Sequence, residues 1–552
     1  MINIKLGEIN QENVIESLLK QREMTLTDLD IKTITLESPN NLKDLDKAET
    51  ILSEVLNRKG KITVVGDYDV DGIISTYCWL YSLKQLDADV DYILPNREKD
   101  GYGISENVIS KINEINPDLV ITCDNGTAAI YNFDEFRSKG GKVIITDHHL
   151  PGEELPNVDA FINPHREDDQ SKFKDLCGAG VVFKIISGLG FKNLDDLIPL
   201  VAIATLCDSM PLIKDNRRIV YEGLKNMKHT SNIGLRLMLL KLGIMENDEV
   251  TTYHVNFIIG PRLNAAGRMK DASIALELLL TKDQDRALKI IEELEELNTK
   301  RQEITEQGLT SIKAYYDGKE IQSKLLVTYL DETDPSVIGI ISSKLVSTYN
   351  LPILTLSPSK SDRNKIKGSG RSVEGFHILN ELKQYRNFFN SLGGHVGAAG
   401  LEMPRENLDK FIETAFKDGT IVERQLKVDG YLHPLNASLG LVKSIQKLAP
   451  FGEGNKSPTF LYEGELTELT VREKVIYFKL DKEYDFTAFN NVSELKEKLL
   501  EVLGNNTIAR MQRGLSSGLS IKIIYSLKEN NYRNKITVTK VVDSLIINGN
   551  KI

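Results

Sequence analysis

The residues best suited to chemistry are carboxylates and imidazoles set just past apolar runs. Asp67, Asp69 and Asp71 fall within GDYDVDG (66–72), and Asp124 opens an Asp-Asn-Gly turn. Asp147 precedes the pair His148 and His149, and Asp208 follows the apolar run 197–206. A lone Asp after a strand is ordinarily a cap or turn residue. Four strand-end acid clusters with an adjacent histidine pair ask for more, because five or six carboxylates cannot share one pocket without heavy charge repulsion. Divalent cations are the natural compensation. Oxygen ligands with one or two imidazoles suit Mg2+ or Mn2+, histidine tilting the choice toward Mn2+. Two such ions about 3.5–4 Å apart can hold a phosphate, generate hydroxide and stabilise a leaving oxygen. The chemistry expected of this cluster is phosphoester hydrolysis.

Acids so distant in sequence need a scaffold that brings them together. Residues 61–67, 91–94, 118–124 and 141–147 read as short buried strands, with helical periodicity over 72–86 and 105–115. Alternating strands and helices predict a parallel sheet with helices on both faces. In such a sheet ligands gather beyond the carboxyl ends of the strands, near the point where strand order reverses. Residues 284–316 carry Leu, Glu, Lys and Gln without proline and predict one long helix joining two domains. A second α/β region follows, with a strand at 324–330 and two glycine-rich turns. From about residue 428 short alternating segments predict a small antiparallel barrel. The expected domains are residues 1–285, a connecting helix over 286–318, an α/β domain over 319–425 and a barrel over 426–552. The first 45 or so residues read as helical and peripheral.

Two further motifs could meet a phosphate. Arg97 lies in a turn just beyond a strand, where a solvated arginine is the ordinary outcome and a planar clamp on a terminal phosphate the functional one. Gly368-Ser369-Gly370-Arg371-Ser372 reads as a glycine-rich turn, which reverses the chain or offers N–H groups to a phosphate. Phe451, Phe460, Tyr462, Tyr477, Phe478, Phe486 and Phe489 lie in the C-terminal region. Most of them belong in a barrel core, which leaves one or two to stack on bases.

Composition narrows the class. The chain has 552 residues and a formal net charge of −10, which argues against broad non-specific nucleic-acid binding but leaves room for a basic groove. The four cysteines, Cys78, Cys123, Cys177 and Cys207, lack zinc-site spacing and suit a reducing cytosol. No apolar run is long enough for a transmembrane helix, no signal-peptide core opens the chain, and no Walker loop is present. A cytoplasmic protein without a membrane partner is expected.

GDYDVDG (66–72), CDNG (123–126), TDHH (146–149) and ATLCDSMPL (204–212) resemble the ordered motifs of the DHH phosphoesterases. Within that family the chain resembles the RecJ single-strand exonucleases. That resemblance rests on Pro95-Asn96-Arg97 with Gly101-Tyr102-Gly103, on Gly178-Ala179-Gly180-Val181 and on PRLNAAGR (261–268). It rests also on Gly368 to Ser372, on Gly393-Gly394-His395 with Ala398-Ala399-Gly400, and on LAPFGEGN (448–455). The resemblance implies Asp69, Asp71, Asp124, His148 and Asp208 as ligands of two metal ions. It puts His149 close to the scissile phosphate, with Asp147 orienting the pair and Asp67 supporting the site. It implies a pocket for the 5′-phosphate made by Arg97, Ser369 and Arg371. Arg262, Asn264, Arg268 and His395 are implied to contact DNA. Some relatives carry a histidine where this chain has Val65, which leaves one metal with a less complete ligand set.

The implied activity is two-metal 5′-to-3′ exonucleolysis of single-stranded DNA, releasing 5′-mononucleotides, in DNA repair and recombination. The C-terminal barrel would be an OB-type fold feeding the strand inward, and a narrow passage between the α/β domains would select single strands. A helicase and a single-strand-binding protein are the implied partners of a monomeric enzyme. Two other readings stand beside it. One is a DHH phosphodiesterase acting on cyclic dinucleotides or short oligonucleotides, whose members usually lack the barrel and residues 450–455. The other is an inactive DHH scaffold in replication, which would have lost the acids retained here.

Overall fold

A computed structural model of the chain describes residues 2–551 apart from 102, 247–248, 317–318, 320, 322, 416–423, 490–491, 513–517, 533–534 and 548–549. Tyr102 of the Gly101–Gly103 motif therefore lies outside the described residues, as does the expected domain limit at 318, whereas the limit expected between 425 and 426 falls inside the strand Arg424–Val428. The chain divides into two compact units, one comprising Thr35–Val422 with Gly452–Gly454, the other Met1–Ile34, Glu423–Phe451 and Asn455–Ile552.

In the larger unit the β-branched runs Ile62–Val65, Val90–Ile93, Leu119–Cys123, Lys142–Thr146 and Ala160–Ile162 form an all-parallel sheet. Ile62–Val65 is internal, with Val90–Ile93 on one side and Leu119–Cys123 on the other. The chain thus moves outward from Ile62–Val65 to one edge and returns on its other flank. The acidic loop 66–72 hangs from the strand where the order reverses, the place such sheets reserve for ligands. Helices Val70–Lys84 and Gly178–Gly188 pack together and join the core beneath those strand ends.

The run before Asp208 is not a strand. Ile198–Cys207 is a helix whose residues from Pro199 to Leu206 are all buried. A helix apolar on every side shows no 3.6-residue rhythm, so its pattern is indistinguishable from that of a buried strand. Asp208 is its C-cap residue and reaches the acid cluster from a helix end.

The long helix is observed as Gln284–Tyr316. Ala287, Ile290, Ile291 and Leu294 enter the core of the parallel sheet, whereas Leu309 and Ile312 enter the core under the second α/β region. At about 1.5 Å per residue it spans roughly 50 Å, and it links the two regions as the composition predicted. The second region is a mixed sheet of Leu326–Tyr329, Ile353–Pro358, Lys365–Arg371, Ala398–Pro404 and Ser391–Gly394, with one parallel pair and three antiparallel ones. The Gly368 to Arg371 stretch is strand, not turn, because it is paired on both sides, to Ile353–Leu356 and to Ala398–Leu401. Its glycines serve packing: a Cβ on Gly368 would meet Leu356 and Leu401 at 2.8 Å.

In the smaller unit Phe460–Val471, Ile476–Leu480, Tyr484–Ala488, Lys535–Ile547 and Ser520–Tyr532 pair in a ring that closes back on Phe460–Val471. The closure includes one parallel contact, Thr487 beside Val541, so the barrel is not purely antiparallel. The N-terminus departs from expectation. Ile2–Leu6 is a strand pairing in parallel with Arg424–Val428, and Leu18 and Leu19 enter the barrel core. Residues 1–34 thus group with the barrel rather than with the first domain. The pairing partner lies some four hundred residues away, so no local pattern reveals it. Among the described residues no helix is long and apolar enough to cross a membrane.

Candidate metal centre and phosphate pocket

The predicted acids converge. Asp124 and His148 meet with Nε2 3.1 Å from Asp124 Oδ1, and the same nitrogen lies 3.7 Å from Asp208 Oδ2 and 3.8 Å from Asp71 Oδ2. Ligand-bearing atoms fall into overlapping groups: Asp67, Asp69 and Asp124; Asp71, His148 and Asp208; and Asp124, Asp147, His148 and His149. Each position is enforced locally. Asp69 caps helix Val70–Lys84, its Oδ1 accepting from the Asp71 and Gly72 N–H groups. Asp71 accepts from the Gly178 and Ala179 N–H groups at 2.6 and 2.8 Å, at the first turn of helix Gly178–Gly188. Gly178 must lack a side chain, since a Cβ there would lie 2.6 Å from the Cβ of Asp124. Asp124 itself has φ +59, a left-handed backbone that costs a non-glycine residue of order 1–3 kcal/mol.

Electrostatics point to a missing positive charge. Asp67 and Asp124 are pushed well above the usual carboxylate range, first by burial and then by neighbouring carboxylates, Asp69 for one and Asp71 for the other. Burial and the charges of Asp71 and Asp69 raise Asp208 to about 8. Asp67 Oδ1, Asp124 Oδ1 and Asp208 Oδ2 are buried without a hydrogen-bond partner. Although His148 Nε2 is only 3.1 Å from Asp124 Oδ1, the two do not make an acceptable hydrogen bond. Lone pairs of a carboxylate and an imidazole aimed at common space are the donor set of a divalent cation. The residues fit such an ion.

His149 is held differently. Asp147 is buried and accepts from the Thr127 N–H at 2.9 Å, from the His148 N–H at 2.7 Å and from His149 Nδ1 at 2.8 Å. Burial opposes ionisation of Asp147, but the His149 hydrogen bond and charge hold its carboxyl well below the usual range. Burial likewise opposes a charged His149, but the bond to Asp147 pushes it up to about 9. Asn163, at the end of the fifth strand, donates to the His149 carbonyl at 2.8 Å and to Thr127 Oγ1 at 2.9 Å. Sequence reasoning missed Asn163 because it missed the three-residue strand Ala160–Ile162. A polar residue directly after AFI was the available signal.

A cleft of about 370 Å³ is lined by residues of both α/β regions, among them Tyr68, Arg97, Arg268, Lys367 and Ser369. The Arg97 guanidinium stacks over the Tyr68 ring, 5.3 Å from its centroid. Arg371 donates to its neighbour's carbonyl, Gly370 O, at 2.8 Å and to Ser369 Oγ at 3.2 Å. A Cβ on Gly339 would come within 3.0 Å of Ser369 Oγ, so helix Ile338–Tyr349 can seat directly against this pair. Burial and the charge of Arg97 lower Arg371, and push Arg268 down to about 9. Among the described residues none of Arg97, Arg268 and Arg371 has a carboxylate ion-pair partner.

The remaining predicted contacts divide. PRLNAAGR is helical, within Gly260–Met269, rather than a turn. Arg268 enters the cleft and donates to Ser336 O at 3.0 Å. Arg262 instead has its fork occupied by Glu295 on the long helix. Asn264 Oδ1 accepts from Val70 N–H, so it braces the acidic loop. His395 is exposed in the hairpin after Ser391–Gly394, its Nδ1 accepting from the Gly397 N–H at 3.2 Å, and it is lowered by burial and by the charge of Arg371. Of the seven barrel aromatics, Phe460, Tyr462, Phe478 and Phe486 are buried, Phe451 is half-buried, and Tyr477 and Phe489 are 39% and 52% exposed.

A parallel sheet whose strand ends gather five acids and a histidine pair, beside an arginine-bearing cleft lined by both α/β regions, defines the DHH class. Family models match accordingly: the DHH family, N-terminal domain over residues 61–207, the DHHA1 domain over 322–417 and the RecJ OB domain over 428–543. The single-stranded-DNA-specific exonuclease RecJ of Haemophilus influenzae is 30% identical, over 97% of this chain and 96% of its own length. The protein of the same name from Bacillus subtilis is 31% identical over 92% of this chain, which spans only 64% of that relative. The crystal structure of RecJ in complex with Mn2+ from Thermus thermophilus matches with a TM-score of 0.80 and 26% identity, covering 98% of this chain and 79% of that one. The chain belongs to the RecJ family of DHH nucleases.

Proposed function

We propose that the chain is a metal-dependent exodeoxyribonuclease that removes 5′-mononucleotides from single-stranded DNA in the 5′-to-3′ direction. One observation carries the reading. The loop 66–72 supplies Asp67, Asp69 and Asp71 to the acid cluster and, between them, Tyr68 to the arginine cleft. A terminal phosphate held in the cleft would therefore leave the next phosphodiester beside the acids.

Asp69, Asp71, Asp124, His148 and Asp208 would hold two divalent cations, Mn2+ or Mg2+, and the buried, unpartnered Asp67 Oδ1 adds a sixth donor on the side where Val65 offers none. The Mn2+ named with the Thermus relative supports the choice of ion. When bound, the cations would neutralise the carboxylates and polarise both the phosphate and an attacking water. The protein's own residues do the rest. Arg97, Ser369 and Arg371 grip the 5′-phosphate through forked and hydroxyl donors. Asp147 fixes His149 through Nδ1, which directs Nε2 toward an oxygen of the scissile phosphate. Arg268 adds charge to the cleft wall. The long helix, seated in the cores of both α/β regions, sets their separation and so excludes a duplex. The barrel, with Tyr477 and Phe489 exposed, would receive the incoming strand. Repair and recombination, with a helicase and a single-strand-binding protein upstream, are the setting this activity fits.

Purified protein with Mn2+ should release mononucleotides from 5′-phosphorylated single-stranded DNA and leave a blunt duplex intact. Equal digestion of both substrates, or none of either, would reject the reading.

A further inference from the structure

One wall of the site is a continuous helical rod, and its far end is unaccounted for. A turn of π-helix, His254–Ile259, runs directly into helix Gly260–Met269. At the C-terminal end Arg268 lies in the phosphate cleft, and Gly267 leaves no room for a Cβ against the Tyr68 carbonyl. In the middle Asn264 braces Val70, and Gly260 sits flush on Cys207, the neighbour of Asp208. Less than one turn before Gly260, Phe257 stands 66% exposed, and Tyr253 is 61% exposed. Their rings lie 5.1 Å apart at an interplanar angle of 32°. Two large exposed rings at i and i+4 cost the free protein apolar burial and do not serve its core. π-helical turns recur at functional sites.

Near Arg262 and Arg268 of this rod stands a further cation without an ion-pair partner among the described residues. Arg301, on the long helix, is half-buried, and its Nε is buried without a hydrogen-bond partner. It has no ion pair among the described residues. It lies close enough to Arg262 for that charge, after burial, to hold its own protonation down, and it does the same to Arg268. Glu295 neutralises Arg262 but nothing comparable faces Arg301.

We infer that Tyr253 and Phe257 form a stacking platform for bases of the strand on the 3′ side of the scissile bond, with Arg301 gripping a phosphate on the way. The inference rests on the proposed nuclease reading. With the 5′ end held at the Arg268 end of the rod and the acids beside its middle, the uncleaved strand leaves toward the aromatic end. Arg268 to Phe257 is eleven residues, roughly 16 Å at about 1.5 Å per residue, a reach of about five nucleotides at a stacked spacing of about 3.4 Å. A base stacks on any aromatic face whatever its identity, which suits a sequence-tolerant enzyme.

The test compares kcat/KM on a 5′-phosphorylated 12-mer and on a 5′-phosphorylated dinucleotide, both single-stranded, for the full chain. In Y253A/F257A the 12-mer-to-dinucleotide ratio should fall about tenfold, mostly through KM, and R301Q should lower it about threefold. Tyr253→Phe with Phe257→Tyr should restore the ratio, whereas Tyr253→Leu with Phe257→Leu should not. An unchanged ratio in the alanine variant, or full rescue by leucine, overturns the platform; the latter would mark apolar packing rather than ring stacking. If the wild-type chain cleaves neither substrate, the nuclease reading fails first, and separately.

Discussion

At the carboxyl ends of the parallel sheet, Asp67, Asp71, Asp124 and Asp147 are buried side by side, and three of them are raised by burial and mutual repulsion. Across the cleft, strand Lys365–Arg371 presents Ser369, and Arg371 beside it crowds positive charge against Arg97, as Arg268 does. Negative charge is concentrated in one region and positive charge in the other. The acids sit on loops and helix ends, and backbone N–H groups fix Asp69, Asp71 and Asp147 among them, as the proposed hydrolysis would require. The cations sit on a turn (Arg97), a helix (Arg268) and a paired strand (Arg371), and their long side chains can adapt to a moving substrate. Like charges repel within each region, and under the proposed function a phosphorylated strand with divalent ions would relieve both.

The contrast can be broken most severely at Asp124. Asp124→Asn keeps a residue that tolerates the left-handed backbone but removes a charge from the cluster. Activity should fall by at least about 10³-fold, while the melting temperature in EDTA rises because repulsion is relieved. A variant losing both activity and stability would show the carboxylate to be structural. Next in size is His149→Ala, expected to cost about 10²-fold in kcat with Mn2+ affinity by calorimetry unchanged. Loss of Mn2+ binding would move His149 into the ligand set. On the cationic side, Arg371→Gln should cost about 10–100-fold on 5′-phosphorylated DNA, the worth of one charged hydrogen bond, and far less on 5′-hydroxyl DNA. An equal loss on both would remove Arg371 from the terminal pocket. The smallest effect belongs to Arg262→Ala, whose partner is Glu295. It should change kcat/KM by no more than about twofold, as a partly exposed ion pair contributes little.

The acid side was far more legible in the sequence than the cationic side. ITVV, LVITC and KVIIT are short β-branched runs with acids directly after them, so strand, direction and site could be read together. Asp208 was found for a wrong reason, because Ile198–Cys207 is apolar all round and hides its helical period. Arg371 was expected on a turn, because Gly368 and Gly370 resemble turn residues until Leu356, Leu401 and Ile378 are seen filling the space a Cβ would need. Thr127 and Asn163, which brace His149 through Asp147 and its carbonyl, carry no pattern of their own. The strand Ile2–Leu6 was invisible since its partner is Arg424–Val428. Long-range pairing and side chains that act through another residue are what a one-dimensional pattern cannot encode.

Digestion of one single-stranded oligonucleotide, labelled at its 5′-phosphate in one sample and at its 3′ end in the other, tests the pairing of the two regions most directly. With Mn2+ present, the 5′ label should appear at once as mononucleotide while the 3′-labelled strand shortens progressively, and EDTA should abolish both. Release of the 3′ label first, or digestion that persists in EDTA, would contradict it.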